Sequence, residues 1–416
     1  MSDLIAPIRG MKDIYCDEYK IFKYIENTSY ELARVYGFQG IQTPIAESIQ
    51  VFDRTLGENS DVISKELYHF HDKKGRMIAL RPEFTAGIMR AILSNKLQQN
   101  LPLRLFSFGP LFRYDRPQEG RQRQFHQLNF ESIGQKHAII DAEMISCAQN
   151  LLNRLEISND VTLELNSLGC AESKEAYQNA LFEYFSKYSS ELSADSQKRL
   201  EKNPLRILDS KDEKDKLICN TAPQIIDYYT SHARKYFDEV CKNLNILNID
   251  YKINTRLVRG LDYYSDIIFE YTTTKLGAQN TILAGGRYDG LAKIMGGPDI
   301  PAIGFAAGYE RIILMRQFKP SVTRPVYIIP LNLNHFQDSL ILSQTLRQNN
   351  IITKIEIENK TAKRMQTAIA DNARYIIFIG EDEISNNFYT LKDLDNKNER
   401  KLSLQELVII LSSMLI

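Results

Sequence analysis

Four arginines crowd one short stretch. In Phe112-Arg-Tyr-Asp-Arg-Pro-Gln-Glu-Gly-Arg-Gln-Arg-Gln-Phe-His-Gln127 they are Arg113, Arg116, Arg121 and Arg123, with Gly120 in an expected turn. A guanidinium is planar, permanently charged and able to grip two oxygens at once, so such a cluster between two strands suits a polyphosphate. The same stretch would also serve as a salt-bridged, solvated hairpin tip, and charge alone does not choose between the two.

Other segments share a layout of apolar residues, then glycine and ionisable groups. They are Arg81-Pro-Glu-Phe-Thr-Ala-Gly87, Leu257-Val-Arg-Gly-Leu-Asp-Tyr-Tyr264, Ala284-Gly-Gly-Arg-Tyr-Asp-Gly290 and Ile303-Gly-Phe-Ala-Ala-Gly-Tyr-Glu-Arg311. Converging in one sheet, these strand ends would make a cleft with both signs of charge. ATP together with a zwitterionic amino acid is a ligand set that needs such a cleft.

The elements that must carry these residues can be read from periodicity. Ile21, Ile25, Thr28, Leu32 and Val35 predict a helix over about 18–36, ended by Gly37, and a strand over 38–43 stopping at Pro44. A hairpin is expected over 68–80, turning at 72–75. Strands are expected at 103–108, ending before Gly109-Pro110, and at 124–133, with a helix over 142–155. Residues 171–247 have a helical, charged and Tyr-rich texture. Strand-like segments resume at 251–258, 267–271 and 281–283; glycine-rich turns follow, and a helix begins near Gly308. Residues 318–325 look like a linker. Beyond it, strands at 326–330, 351–357 and 375–379 alternate with helices at 335–348, 361–373 and 404–415, which predicts a small α/β domain.

Length and composition bound the function. The 416 residues imply two or three domains. Lys+Arg and Asp+Glu both total 52, which argues against nucleic-acid binding by the whole surface but leaves a local basic surface open. The cysteines Cys16, Cys147, Cys170, Cys219 and Cys241 form no CxxC pair, so reduced thiols in a cytoplasmic protein are expected, with no metal site built from Cys or His. His69 and His71 lack a further Cys or His nearby. Residues 1–10 lack the apolar core of a signal peptide. The apolar stretch 407–416 is shorter than the roughly 20 residues of a membrane span.

At this point the chain resembles a known class. Residues 36–44, 112–131 and 304–311 resemble the three signature motifs of class II aminoacyl-tRNA synthetases. Residues 257–264 and 284–291 resemble two peptides peculiar to histidyl-tRNA synthetases, and Arg9-Gly-Met-Lys-Asp13 resembles that family's N-terminal signature. The absence of a P-loop and of GxGxxG before a helix agrees.

The resemblance implies an α/β (α+β) fold: an antiparallel-sheet catalytic domain over 1–170 and 248–318, a mostly helical insertion over 171–247, and a mixed α/β anticodon-binding domain over 325–416. It implies activation of L-histidine with ATP, magnesium held mainly by the ATP phosphates, transfer to the tRNA for histidine, and a homodimer with no DNA or membrane partner. Arg113 and Arg259 would hold the α-phosphate from opposite sides, Arg259 acting as a fixed cation where other class members use a metal. Arg121 and Arg311 would neutralise the outgoing phosphates. Glu83, Thr85 and Gln127 would bind the α-amino group. Glu131 and Tyr264 would bond the imidazole, with Tyr263 and Tyr288 in the same pocket. His126 is not needed as a base, because the attacking carboxylate is already ionised. Phe84 and Asp115 depart from the family pattern, the first behind the histidine pocket and the second near the adenine. In the second unit Tyr375, Phe378, Tyr389 and residues 392–400 are candidates for RNA contact. Two other readings are a regulatory subunit of ATP phosphoribosyltransferase and a class II synthetase for another amino acid; both should lack parts of the two histidine peptides.

Overall fold

In the computed structural model, residues 4–56, 62–277, 280–315, 318–319, 324–357 and 360–413 are described. Helix α1 (Cys16–Val35) buries Ile25, Ser29, Leu32 and Ala33 and carries Asp17 and Glu18 at its positive end. It stops at Gly37, whose φ of +74° suits glycine. There Gly37 N–H bonds Arg34 O at 3.1 Å and Phe38 N–H bonds Ala33 O at 2.8 Å, a Schellman end. The strand expected at 38–43 is only β1 (Gln39–Gly40).

Next come β2 (Ala46–Ser48), α2 (Gln50–Asp53), β3 (His69–His71) and β4 (Met77–Leu80), whose strands form a small antiparallel sheet. The expected hairpin turns where Asp72 accepts the Lys74 N–H at 2.8 Å and the Arg76 N–H at 2.9 Å. Helix α3 (Thr85–Ser94) leads to the long pair β5 (Leu103–Phe112) and β6 (Gln124–Ile133). Strand β5 does not end before Gly109-Pro110. Pro110 faces His126 in the ladder, but its carbonyl turns away from β6 to accept from Arg81 Nε at 3.0 Å, and the His126 N–H points instead to Glu310. A residue without an N–H is tolerated at such a position.

Then follow α4 (Ala138–Arg154), β7 (Thr162–Ser167), α5 (Ala171–Ser186), α6 (Ala194–Lys202), α7 (Glu213–Cys219), α8 (Ser231–Ile246), β8 (Lys252–Ile253), β9 (Ser265–Thr272), β10 (Thr281–Arg287), α9 (Leu291–Ile294), β11 (Ala302–Gly308) and α10 (Tyr309–Met315). Strand β7 was not expected, and the run at 251–258 supplies only β8. The glycines expected to turn after Leu283 lie inside β10. A Cβ on Gly286 would meet Ile267 O at 2.7 Å, so the strand needs glycine for a close backbone approach rather than for a turn.

The main sheet runs β1-β5-β6-β11-β10-β9-β7-β8. Its strands from β5 to β7 are antiparallel, with short parallel partners at both edges. Alternation sends Phe106, Ile267 and Phe269 to a core with α1, α4 and α8. It sends Leu105, Ile133 and Ile268 to the opposite face, against α3 and α9. That second face carries the cleft. Helices α5 to α7 surround their own small core of Tyr177, Leu181, Phe185, Leu205 and Ile207. Asp215 is buried beside it and receives the hydroxyls of Ser193, Ser196 and Ser210 at 2.6 Å each. Helix α8 packs on α4 instead.

The unit just described spans Met1–Pro320, and a second spans Ser321–Ile416. Of the expected linker 318–325, residues 320–323 lie outside the described residues, as do 414–416 of the expected terminal helix. The second unit contains β12 (Val326–Pro330), α11 (Phe336–Gln348), β13 (Thr353–Ile355), α12 (Thr361–Ala370), β14 (Tyr375–Ile379), α13 (Glu381–Ser385), β15 (Tyr389–Asp393), β16 (Glu399–Leu402) and α14 (Leu404–Ser412). Its sheet order is β13-β12-β14-β15-β16. The first three strands are parallel and the last two form a hairpin that had not been expected. Tyr375 is buried in this core, which removes it from the candidates for RNA contact.

Candidate active site

Segments distant in the chain meet in a cleft of about 610 Å³ on the α3 face of the main sheet. On β6, Gln127, Asn129 and Glu131 are two residues apart and therefore share one face. Arg113 leaves the end of β5, with its Nε on Pro82 O at 3.0 Å and its guanidinium 5.4 Å from the Phe125 ring centroid. Arg121 follows the turn at Gly120, whose φ is +69°, and is paired with Asp115 and with Glu66 at 3.3 Å. Arg311 stands on α10 and donates to Thr281 O at 2.7 Å. Arg259 sits on the loop before β9 and is paired with Glu270.

These four guanidiniums share the cleft wall. Loss of solvent, then repulsion from Arg113, Arg121 and Arg259, lowers the pKa of Arg311 to about 10. It still carries its charge at neutral pH, and a bound polyanion would relieve the repulsion. Desolvation also lowers the pKa of Arg113, partly offset by Glu66 and Glu83. Arg116 is exposed and outside the cleft. Arg123 lies 3.9 Å over the Tyr114 ring and bonds Asp115 O at 3.1 Å, bracing the loop rather than facing the cavity.

Below the arginines lies an acidic, aromatic floor. Glu83 accepts the backbone N–H groups of Thr85 at 2.6 Å and Ala86 at 2.8 Å, so it caps the start of α3. Burial pushes its pKa up. Thr85 donates its hydroxyl to Glu131 at 2.5 Å, and Tyr288 donates to the other oxygen of the same carboxylate. Glu131 is 1% exposed and lies behind the cleft wall, while Thr85 and Tyr288 form part of that wall. Desolvation raises its pKa to about 7. Tyr263 packs edge-on to Tyr288 at 5.6 Å and beside Tyr264 at 4.8 Å. Burial pushes the pKa of all three phenols up from its ordinary value, so they stay protonated well beyond neutral pH.

Of the expected site residues, Glu83, Thr85, Arg113, Arg121, Gln127, Arg259, Tyr263, Tyr264, Tyr288 and Arg311 line the cleft, and Glu131 stands directly behind it. Two arginines of the glycine-punctuated segments do not face it. Arg81 is buried, donates to Thr43 O at 2.7 Å and lies 4.5 Å over the Phe84 ring, so Phe84 supports a structural cation. Arg287 is buried with Asp141 and bonds Asp289 at 2.9 Å. His126 packs against Phe22 and Tyr309 while its N–H meets both oxygens of Glu310 at 3.0 Å. Glu270 was missed. It interrupts an apolar strand at the position sharing a face with Ile268, and that alternation was the available signal.

Comparison with known proteins gives a consistent picture. The model of the family described as histidyl-tRNA synthetase matches residues 10–312, and that of an anticodon binding domain matches 325–414. A histidine–tRNA ligase of Rickettsia bellii is 54% identical over 412 residues, covering 99% of either chain. The crystal structure of apo S. aureus histidyl-tRNA synthetase is 30% identical, with a TM-score of 0.84 over 98% of this chain and 100% of that one. A Bacillus halodurans protein described as an ATP phosphoribosyltransferase regulatory subunit/histidyl-tRNA synthetase is 21% identical with a TM-score of 0.66, covering 91% of this chain and 99% of that one; it shares the fold alone.

Proposed function

The chain belongs to the histidyl-tRNA synthetase family and is a ligase that joins histidine to tRNA, and we propose that the cleft performs both halves of that reaction as follows. Arg113 and Arg259 grip the α-phosphate of ATP. The histidine carboxylate, ionised at neutral pH, attacks the α-phosphorus in line. A bond forms from carboxylate oxygen to phosphorus, the bond to the bridging oxygen breaks, and pyrophosphate leaves toward Arg121 and Arg311. Preorganised cations aimed at the phosphoryl oxygens lower the barrier, because charge builds there in the transition state. In the second half the ribose hydroxyl of the terminal adenosine attacks the histidyl carbonyl. The adenylate phosphate accepts the hydroxyl proton and leaves as AMP.

Glu83, Thr85 and Gln127 take the substrate ammonium. Tyr263, Tyr264 and Tyr288 enclose the imidazole. Glu131 already receives two hydroxyls, but a carboxylate has about four acceptor positions, so it can also take an imidazole N–H. An apolar side chain in this slot would strand buried polar groups, and such a site rejects it by about 10⁴–10⁵.

Among the described residues, no group of three or more His, Cys, Asp or Glu side chains is placed to hold a metal ion. On the family resemblance, magnesium is assigned mainly to the ATP phosphates, where it would supply charge neutralisation. The second unit is proposed to bind the anticodon of the tRNA for histidine. A homodimer is proposed through the first signature motif, residues 36–44, and helix α1 just before it, which leaves Tyr30 and Val35 exposed. A cytoplasmic setting is proposed on the five unpaired cysteines. Among the described residues no helix is long and apolar enough to cross a membrane.

The observation that carries this reading is the meeting of Arg113, Arg121, Arg259 and Arg311, from three separate segments, above the Thr85–Glu131–Tyr288 cluster. Its test is aminoacylation of a transcript of the tRNA for histidine. Histidine- and ATP-dependent charging is expected; a pure protein that never charges the transcript would overturn the reading.

A further inference from the structure

The loop that presents Arg259 belongs to no strand or helix, yet its backbone is tied down at several points from the helical segment. Arg206 donates Nε to Asp262 Oδ1 at 3.0 Å and Nη2 to Gly260 O at 2.7 Å. Asn203 donates to the same Asp262 oxygen at 2.9 Å. Lys174 donates to Tyr264 O at 2.8 Å. Arg206 is 11% exposed and Asp262 32%. The head of Arg259 is held separately, by Glu270, whose other oxygen accepts the Thr281 hydroxyl at 2.9 Å.

We propose that Arg206 is a positioning residue for Arg259. By fixing the carbonyl of Gly260 and the carboxylate of Asp262, on either side of Leu261, it sets the direction in which the loop offers its guanidinium to the phosphate. The fork of Arg206 is suited to this task, because its planar donors bond two acceptors in one fixed geometry. Arg206 itself touches no reacting atom. Its effect passes through Arg259, so the placement of the helical segment is linked to the charge that holds the α-phosphate. The inference rests on the proposed role of Arg259.

The test is histidine-dependent ATP–pyrophosphate exchange by the full chain, in the single variants Arg206→Ala, Asp262→Asn and Arg259→Ala and in the double variant Arg206→Ala with Arg259→Ala. A displaced catalytic group costs roughly 10- to 100-fold, so Arg206→Ala should lower kcat by that order, with KM for ATP and histidine changed by less than about threefold. Asp262→Asn keeps the volume of the side chain and should do the same if Arg206→Ala fails to fold. In the Arg259→Ala background, loss of Arg206 should cost nothing more, since residues acting through one another are not additive. Additive losses, or unchanged kcat in both Arg206→Ala and Asp262→Asn, overturn the proposal while leaving a crippled Arg259→Ala, and with it the role of Arg259, intact. Normal exchange by Arg259→Ala overturns both.

Discussion

Glu131 on β6 and Gly304 on β11 face each other across adjacent antiparallel strands, and the Glu131 carboxylate fills the space that a Cβ on Gly304 would occupy. The same Cβ would lie 2.8 Å from Phe130 O, so the backbone cannot absorb the clash. The carboxylate must yield instead, and it can do so only by giving up its bonds with Thr85 and Tyr288. Gly304→Ala is therefore expected to push Glu131 out of the slot and raise KM for histidine by roughly tenfold or more, with KM for ATP less affected. Steady-state exchange kinetics with each substrate varied in turn would check this.

Arg113 and Arg259 line the cleft and are the cations proposed to grip the α-phosphate. Arg113→Ala or Arg259→Ala should lower adenylation by at least about 10² while circular dichroism and the unfolding midpoint stay near those of the parent. Near-normal exchange in either variant would reject the role assigned to it.

Glu131→Ala should damage histidine use more than ATP binding. Loss of ATP affinity of about tenfold or more with histidine affinity unchanged would contradict the assignment.

The burial of Glu131 also predicts a pH dependence of stability. Its pKa rises from an ordinary 4.5 to about 7 in the folded protein, chiefly by desolvation. Below about 4.5 the proton is bound in both folded and unfolded chains and the group contributes nothing. As pH climbs toward 7 the unfolded chain ionises first, so the folded state loses stability, and above that range the loss is constant. Glu131→Gln should therefore gain stability relative to the parent between pH 5 and pH 7, as read by urea unfolding at each pH. A gap that narrows over that interval would show that Glu131 is not held protonated by burial.

Much of this site was legible before the fold. The strands expected at 124–133, 326–330 and 375–379 have the bounds of β6, β12 and β14, while Gln127 and Glu131 were reached through the resemblance of the β6 segment to a signature motif. The misreadings have a common cause. Gly109-Pro110 and Gly285-Gly286 look like turn signals locally, yet they sit inside strands, where the ladder tolerates the missing N–H of Pro110 and the neighbouring strands leave no room for a Cβ on Gly285 or Gly286. Arg81 and Arg287 share the layout of Arg259, but residue type does not reveal direction. Their guanidiniums turn inward because Thr43 O and Asp141 lie there, contributed by segments far away in sequence. The β15–β16 hairpin was hidden for a similar reason: its second strand, Glu399–Leu402, is exposed and too polar to show a buried face.

The most direct test of the cleft as a histidine-activating site is ATP–pyrophosphate exchange measured with each of the common amino acids in turn. Exchange should depend on histidine, with apolar amino acids slower by about 10⁴ or more in kcat/KM. Absence of histidine-dependent exchange, or equal exchange with an apolar amino acid such as leucine, would contradict it.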